Sequence, residues 1–173
     1  TTQSENCCFS TYFNKFEGDT LIESITYKHV LQSDDSLNSW YHIGYVREDA
    51  TSGLWFRNTA GVEGLLYKYY LQLNDTFTLR NTSLPSAIDT VTLIVTSIDS
   101  VQINASWKQR IELIHISGYS QYTDTWIEDM GSLQGIMFPG CFISNYRALL
   151  CLFENDLPVY KNENYINCYY YTT

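Results

Sequence analysis

Ile25-Thr26-Tyr27-Lys28-His29-Val30-Leu31 alternates residue by residue, with Ile25, Tyr27, His29 and Leu31 at one parity and Thr26, Lys28 and Val30 at the other. Successive side chains of a strand leave on opposite faces, so this period of two reads as a β-strand. Working outward, Trp40 to Glu48 is equally rich in aromatic and β-branched residues, as strands require. Further candidate strands are Leu54 to Arg57, Leu65 to Leu73, Thr76 to Leu79, Val91 to Ile98, Val101 to Ile103, Ser106 to Ile116, Arg147 to Phe153 and Pro158 to Tyr160. Between them fall Asn74-Asp75, Asp99-Ser100, Asn104-Ala105 and Asn155-Asp156, residues suited to tight reversals. The best helical window is Asp124 to Leu133, and its Thr125, Trp126 and Gly131 weaken it. The expectation is an all-β antiparallel meander with little helix, closing as a barrel, a half-barrel or a two-sheet sandwich.

Composition agrees with that reading. Of 173 residues, 45% are hydrophobic and 16% aromatic, while only 17% are charged. Roughly 70% of the unfolded surface of such a chain is buried on folding, enough for one ordinary core. The organisation expected is an N-terminal segment, residues 1–18, tied down by a disulfide, followed by one β domain over residues 19–173. The net charge of −9 opposes binding to nucleic acid or anionic lipid by counterion release. The longest apolar runs, such as Ala148 to Phe153, fall short of the ~18 residues of a membrane span. The chain begins at Thr1 without an initiator Met, as a mature exported chain or a trimmed one would.

Five cysteines, Cys7, Cys8, Cys141, Cys151 and Cys168, include no C-x-x-C pair, which removes zinc-ribbon and thioredoxin readings and favours disulfides in an oxidising compartment. Cys151 and Cys168 flank the Glu154-Asn155-Asp156 turn, and a hairpin there brings their segments together. A bridge between them contributes about 3 kcal/mol in the loop-entropy account. Cys7 and Cys8 are too close along the chain to pair with each other, so one of them is expected to reach Cys141, leaving a fifth thiol buried or paired between molecules.

Residues able to carry chemistry are sparse. His29, His42 and His115 lie in separate candidate strands without metal-ligand spacing, so no metal or cofactor is expected. Asp34, Ser36 and Asn38 alternate as oxygen ligands do, but lack the glycine and terminal glutamate of an EF-hand loop. In Gly131-Ser132-Leu133-Gln134-Gly135 the serine directly follows the first glycine, one place short of a nucleophile elbow. Glu128 with Asp129, and Glu154 with Asp156, are carboxylate pairs whose strand or turn positions do not aim both groups at one substrate. No catalytic residue is assigned. Among the aromatic residues, Trp40, Tyr45 and Trp55 are the candidates for stacking on a ligand, against the alternative that these rings pack in the core. Tyr169-Tyr170-Tyr171 reads as an edge strand or the start of a link.

Several stretches taken together carry a resemblance: Trp40 to Arg47 (WYHIGYVR), Leu66 to Phe77 (LYKYYLQLNDTF), Thr125 to Gly135 (TWIEDMGSLQG), Leu149 to Asp156 (LLCLFEND), then Tyr160 and Cys168. Over roughly Asp19 to Cys168 the chain resembles a secreted or cell-surface domain of Bacteroidota cargo proteins of the type IX secretion system. That domain has a "W-I-E-G-I-G-S-x-x-G" stretch, an "L-L-C-F-x-x-N-G" hairpin and a final cysteine. Here Asp129-Met130 stands for Gly-Ile, and Asn74 and Asp156 stand for turn glycines. Asn and Asp tolerate the left-handed backbone, so the hairpins are expected to keep their geometry. The resemblance implies an extracellular or outer-surface location, the secretion machinery as a partner during export, and a following C-terminal sorting domain that the machinery removes. It also gives meaning to Asp-Ser/Thr-aliphatic triplets as O-glycosylation sites, at Thr20, Ser36, Thr90 and Ser100.

The function expected on these grounds is a non-catalytic binding or adhesion module, taking a glycan or a surface protein. The alternatives are a structural subunit of a surface assembly and an extracellular hydrolase acting on glycans or peptides.

Overall fold

The computed structural model describes residues 11–34, 37–84, 89–116, 122–140 and 147–170. Over these residues the chain is all-β and antiparallel, with no helix. Its strands are β1 (Phe13–Ile22), β2 (Ile25–Ser33), β3 (Tyr41–Asp49), β4 (Gly53–Asn58), β5 (Glu63–Lys68), β6 (Thr76–Arg80), β7 (Thr90–Ile103), β8 (Ser106–His115), β9 (Thr123–Ile127), β10 (Gly131–Ser132), β11 (Cys151–Glu154) and β12 (Leu157–Lys161). The first five form one meander sheet in chain order, the next five form a second, and β11 with β12 is a separate hairpin.

Local chemistry explains most of the turns. Asn74, Asn104, Asp129, Asn155 and Asp156 all take the left-handed backbone, with φ between 48° and 71°. Asn74, Asp129 and Asp156 thus take the conformation that Asn and Asp tolerate better than other side chains. Glu23 and Ser24, at φ 53° and 68°, make the two-residue β1–β2 turn although neither is a residue favoured there, which hid this hairpin from the sequence. Residues 13–18, read as part of an N-terminal segment, run within β1 and pair with β2. Asp99-Ser100 is not a turn: β7 continues through it, pairing Asp99 with Arg110 and Ser100 with Gln109, and Arg110 grips the Asp99 carboxylate. Strand β5 stops at Lys68, shortly before Tyr70 turns left-handed at φ 56°. The window Asp124 to Leu133 is strand, turn and strand, since Asp129 at φ 63° and Gly131 at φ 78° break any helix.

One core joins the two five-stranded sheets. Val30, Val46, Phe56 and Leu66 of the first meet Phe77, Leu79, Val91, Leu93, Val95, Leu113 and Trp126 of the second. The sheets come closest at β5 and β6, where any Cβ on Gly64 would collide with the Arg80 carbonyl oxygen. Just beyond, Thr82 Oγ1 donates to the carbonyls of Phe56 and Val62, each at 3.2 Å. A second cluster, Ile127, Met130 and Leu149, seats the β11–β12 hairpin through Leu152 and Tyr160 against Val101 and Ile103 of β7. The Cys151–Cys168 disulfide, with Cα atoms 5.4 Å apart, ties that hairpin to the C-terminal segment as expected. There Tyr169 stacks on Phe13 at 5.3 Å, and Tyr170 exchanges backbone hydrogen bonds with Thr11 Oγ1. Tyr169 and Tyr170 lie in no strand and close the C-terminal segment onto the start of β1, and Tyr171 falls outside the described residues.

Candidate functional site: the cupped face of the first sheet

Directly opposed residues of an antiparallel ladder share a face. In the first sheet Glu17, His29, Tyr45, Arg57 and Glu63 form one such rung, and Lys15, Leu31 and His42 form the next. Their neighbours Val30, Val46 and Phe56 point the other way, into the core. Bulges after Glu17 and Val30 let one face hold polar groups and rings along β1, β2 and β3 while the other stays apolar.

The polar face is concave. Tyr27 of β2 donates its hydroxyl to Glu63 Oε1 of β5 at 2.7 Å. Three strand spacings separate those strands, roughly 14 Å in a flat sheet, so the sheet curls toward this face. Arg47 completes the junction with a fork onto Glu63, Nε to Oε1 at 2.9 Å and Nη2 to Oε2 at 2.8 Å. That fork, ahead of the Tyr27 bond, holds the Glu63 carboxyl below its ordinary range, while burial and then Glu63 push the Tyr27 hydroxyl up. The Arg47 guanidinium also lies over the Trp55 ring at 5.0 Å.

Beside this junction the cup is open as a groove of about 610 Å³ lined by Glu17, Gly18, His29, Leu31, His42 and Tyr45. His29 and His42 have ring centroids 5.1 Å apart, and Tyr45 lies 5.1 Å from the first and 4.5 Å from the second. Lys15 sits over the Trp40 ring at 4.4 Å and pairs with Glu17 at 3.0 Å. The His42 Nε2 atom is buried and has no hydrogen-bond partner among the described residues.

The structure thus brings Trp40, Tyr45 and Trp55 to one face, none of them in the core cluster, whereas the rings of Phe56 and Tyr67 are core. It also gathers Glu17, His29, His42, Arg47 and Glu63, which the sequence reading did not assign to the site. The parity of Tyr27, His29 and Leu31 against Val30 was the available signal. Although the two histidines meet, no set of three His, Cys, Asp or Glu side chains among the described residues could hold a metal ion.

The remaining candidates lie elsewhere. Cys7, Cys8, Cys141 and Ser36 fall outside the described residues. Thr20 is half-buried on β1 opposite Tyr27, Thr90 is exposed with its hydroxyl on Asp89, and Ser100 is exposed in mid-strand of β7. Glu128 accepts the Gln109 amide at 2.9 Å, and Asp129 pairs with Lys108. Ser132 is fully buried and donates to Asp124 Oδ1 at 2.6 Å, while Asp124 Oδ2 accepts from Trp126 Nε1 and the Gly140 amide. Tyr67 accepts the Ser132 amide and donates to the Ile136 carbonyl. The Trp126 to Gly135 stretch therefore supplies a buried polar clasp between the sheets.

No helix among the described residues is long and apolar enough to cross a membrane. No family model, no curated protein and no solved structure matches the chain.

Proposed function

We propose that this chain is a non-catalytic binding module, secreted or displayed on the outer cell surface through the type IX secretion system, and that the cupped face of its first sheet is where it binds. The observation that carries the reading is the cup itself: the rings of His29, His42 and Tyr45 line a groove of about 610 Å³ beside the Arg47–Glu63 fork, within the size range of small-ligand sites. The hydrophobic side of the same sheet fills the core shared with the second sheet, so the rings lining the groove are not needed there. The Cys151–Cys168 disulfide is consistent with an oxidising exterior. Glycosylation at Thr20, Ser36, Thr90 and Ser100 belongs to the same proposal, and the exposure of Thr90 and Ser100 supports it.

The test has two arms. The first locates the protein in its producing cell: recovery from the medium or the outer surface, with Cys151 and Cys168 disulfide-linked by peptide mapping, is expected, and retention in the cytoplasm rejects the export reading. The second measures binding to immobilised glycans and surface-protein extracts. Tyr45→Ala is expected to weaken binding at least tenfold with an unchanged far-ultraviolet spectrum; unaltered binding places the site elsewhere.

A further inference from the structure

We infer that the groove receives a saccharide carrying a carboxylate, a uronic-acid type of sugar, with Arg57 as its counter-ion; this rests on the binding-face reading above. The chain as a whole carries a net charge of −9, which repels acidic ligands. The cup departs from that average. Lys15, Arg47 and Arg57 there face Glu17, Glu63, Asp49, which lies 4.0 Å from Arg47, and Glu23, three cations against four carboxylates. With one net negative charge, this face repels an acidic sugar far less than the chain as a whole does.

The cations differ in how firmly they are held. Lys15 is engaged by Glu17 at 3.0 Å and Arg47 by the Glu63 fork. Among the described residues the ion pair of Arg57 is a long one, to Glu23 at 3.9 Å, whose side chain is 80% exposed on the β1–β2 turn, and Glu63, already forked by Arg47, stands across the ladder from it. Arg57 stands directly across from Tyr45, so its Cβ is about 5 Å from that of a groove-lining ring. A guanidinium fork matches a carboxylate in plane, and replacing a long contact to an exposed side chain costs little. The only aliphatic lining residue is Leu31, which argues against a lipid or an apolar peptide.

Titration calorimetry of the full chain with trigalacturonic acid and with its neutral galactose counterpart, at low and high sodium chloride, decides the matter. The acidic trimer is expected to bind at least tenfold more tightly at low salt, the advantage shrinking as salt rises. Arg57→Gln should erase the advantage, with Arg57→Lys retaining part of it. Equal binding of both trimers, lost in Tyr45→Ala, overturns the acidic-ligand inference and leaves the binding face standing. Binding of neither, while the protein still adheres to a surface extract in a Tyr45-dependent way, likewise overturns only this inference. If Arg57→Gln fails to fold, the salt dependence of the unaltered chain still decides: no preference at low salt overturns it.

Discussion

Asp124 and Glu63 show how two carboxylates on one chain are driven in opposite directions by their surroundings. Burial pushes the Asp124 carboxyl above the ordinary range, opposed by the bonds from Ser132, Gly140 and Trp126. A raised acid contributes stability that is fully present below the unfolded value and falls away as pH climbs through the folded one. Asp124→Asn keeps an acceptor for Trp126 Nε1 and the Gly140 amide and offers a donor to Ser132. It should therefore stay within about 1 kcal/mol of the parent, gaining on it as pH rises, whereas Asp124→Ala strands those donors and costs about 3 kcal/mol. Urea midpoints across pH test this, and an asparagine variant as damaged as the alanine one refutes it. Glu63 is the opposite case: its pKa is depressed, chiefly by Arg47, so its contribution is present above the ordinary glutamate value of 4.5 and lost as pH falls through the folded value. Glu63→Gln should cost about 1–2 kcal/mol at pH 7, and the gap between variant and parent should close in acid. The histidines were legible as strand residues, but not as neighbours. His29 and His42 are brought together by the β2–β3 register, and the bulge after Val30 sets that register.

At the scale of elements, the hairpins were largely readable because turn chemistry is local. The Asn155-Asp156 turn and the Cys151–Cys168 bridge follow from residue types and spacing alone. What the bridge holds did not. The second hydrophobic cluster packs the hairpin on the far end of β7, and the C-terminal tyrosines dock on Thr11 and Phe13. Replacing both cysteines by alanine should cost about 3 kcal/mol, and amide exchange should rise across residues 162–170 and at the start of β1 before it changes in β3 or β7. Uniform exchange across the chain would show that the bridge is not a local fastener. The contact between β5 and β6 was illegible, since Gly64 in a strand signals only that something approaches closely. Gly64→Ala should destabilise by about 2 kcal/mol or more, because backbone must move aside at Arg80.

As a whole molecule, the two meanders share one core and should unfold together. Tryptophan fluorescence and far-ultraviolet dichroism are expected to give coincident denaturant curves, and separate midpoints would show that the sheets are independent units. The sequence by itself determined the all-β class, the strand positions in most of the chain, the left-handed turns and the hairpin disulfide, because alternation, turn residues and cysteine spacing act within a few residues. Only the tertiary structure decided that the first sheet curls toward its polar side, that rings and a carboxylate scattered from Glu17 to Tyr45 line one groove, and that the Trp126 to Gly135 stretch clasps the two sheets from within. Curl, bulge register and sheet-to-sheet contact arise from side chains distant along the chain competing for the same space, and no local pattern of residues records the outcome of that competition.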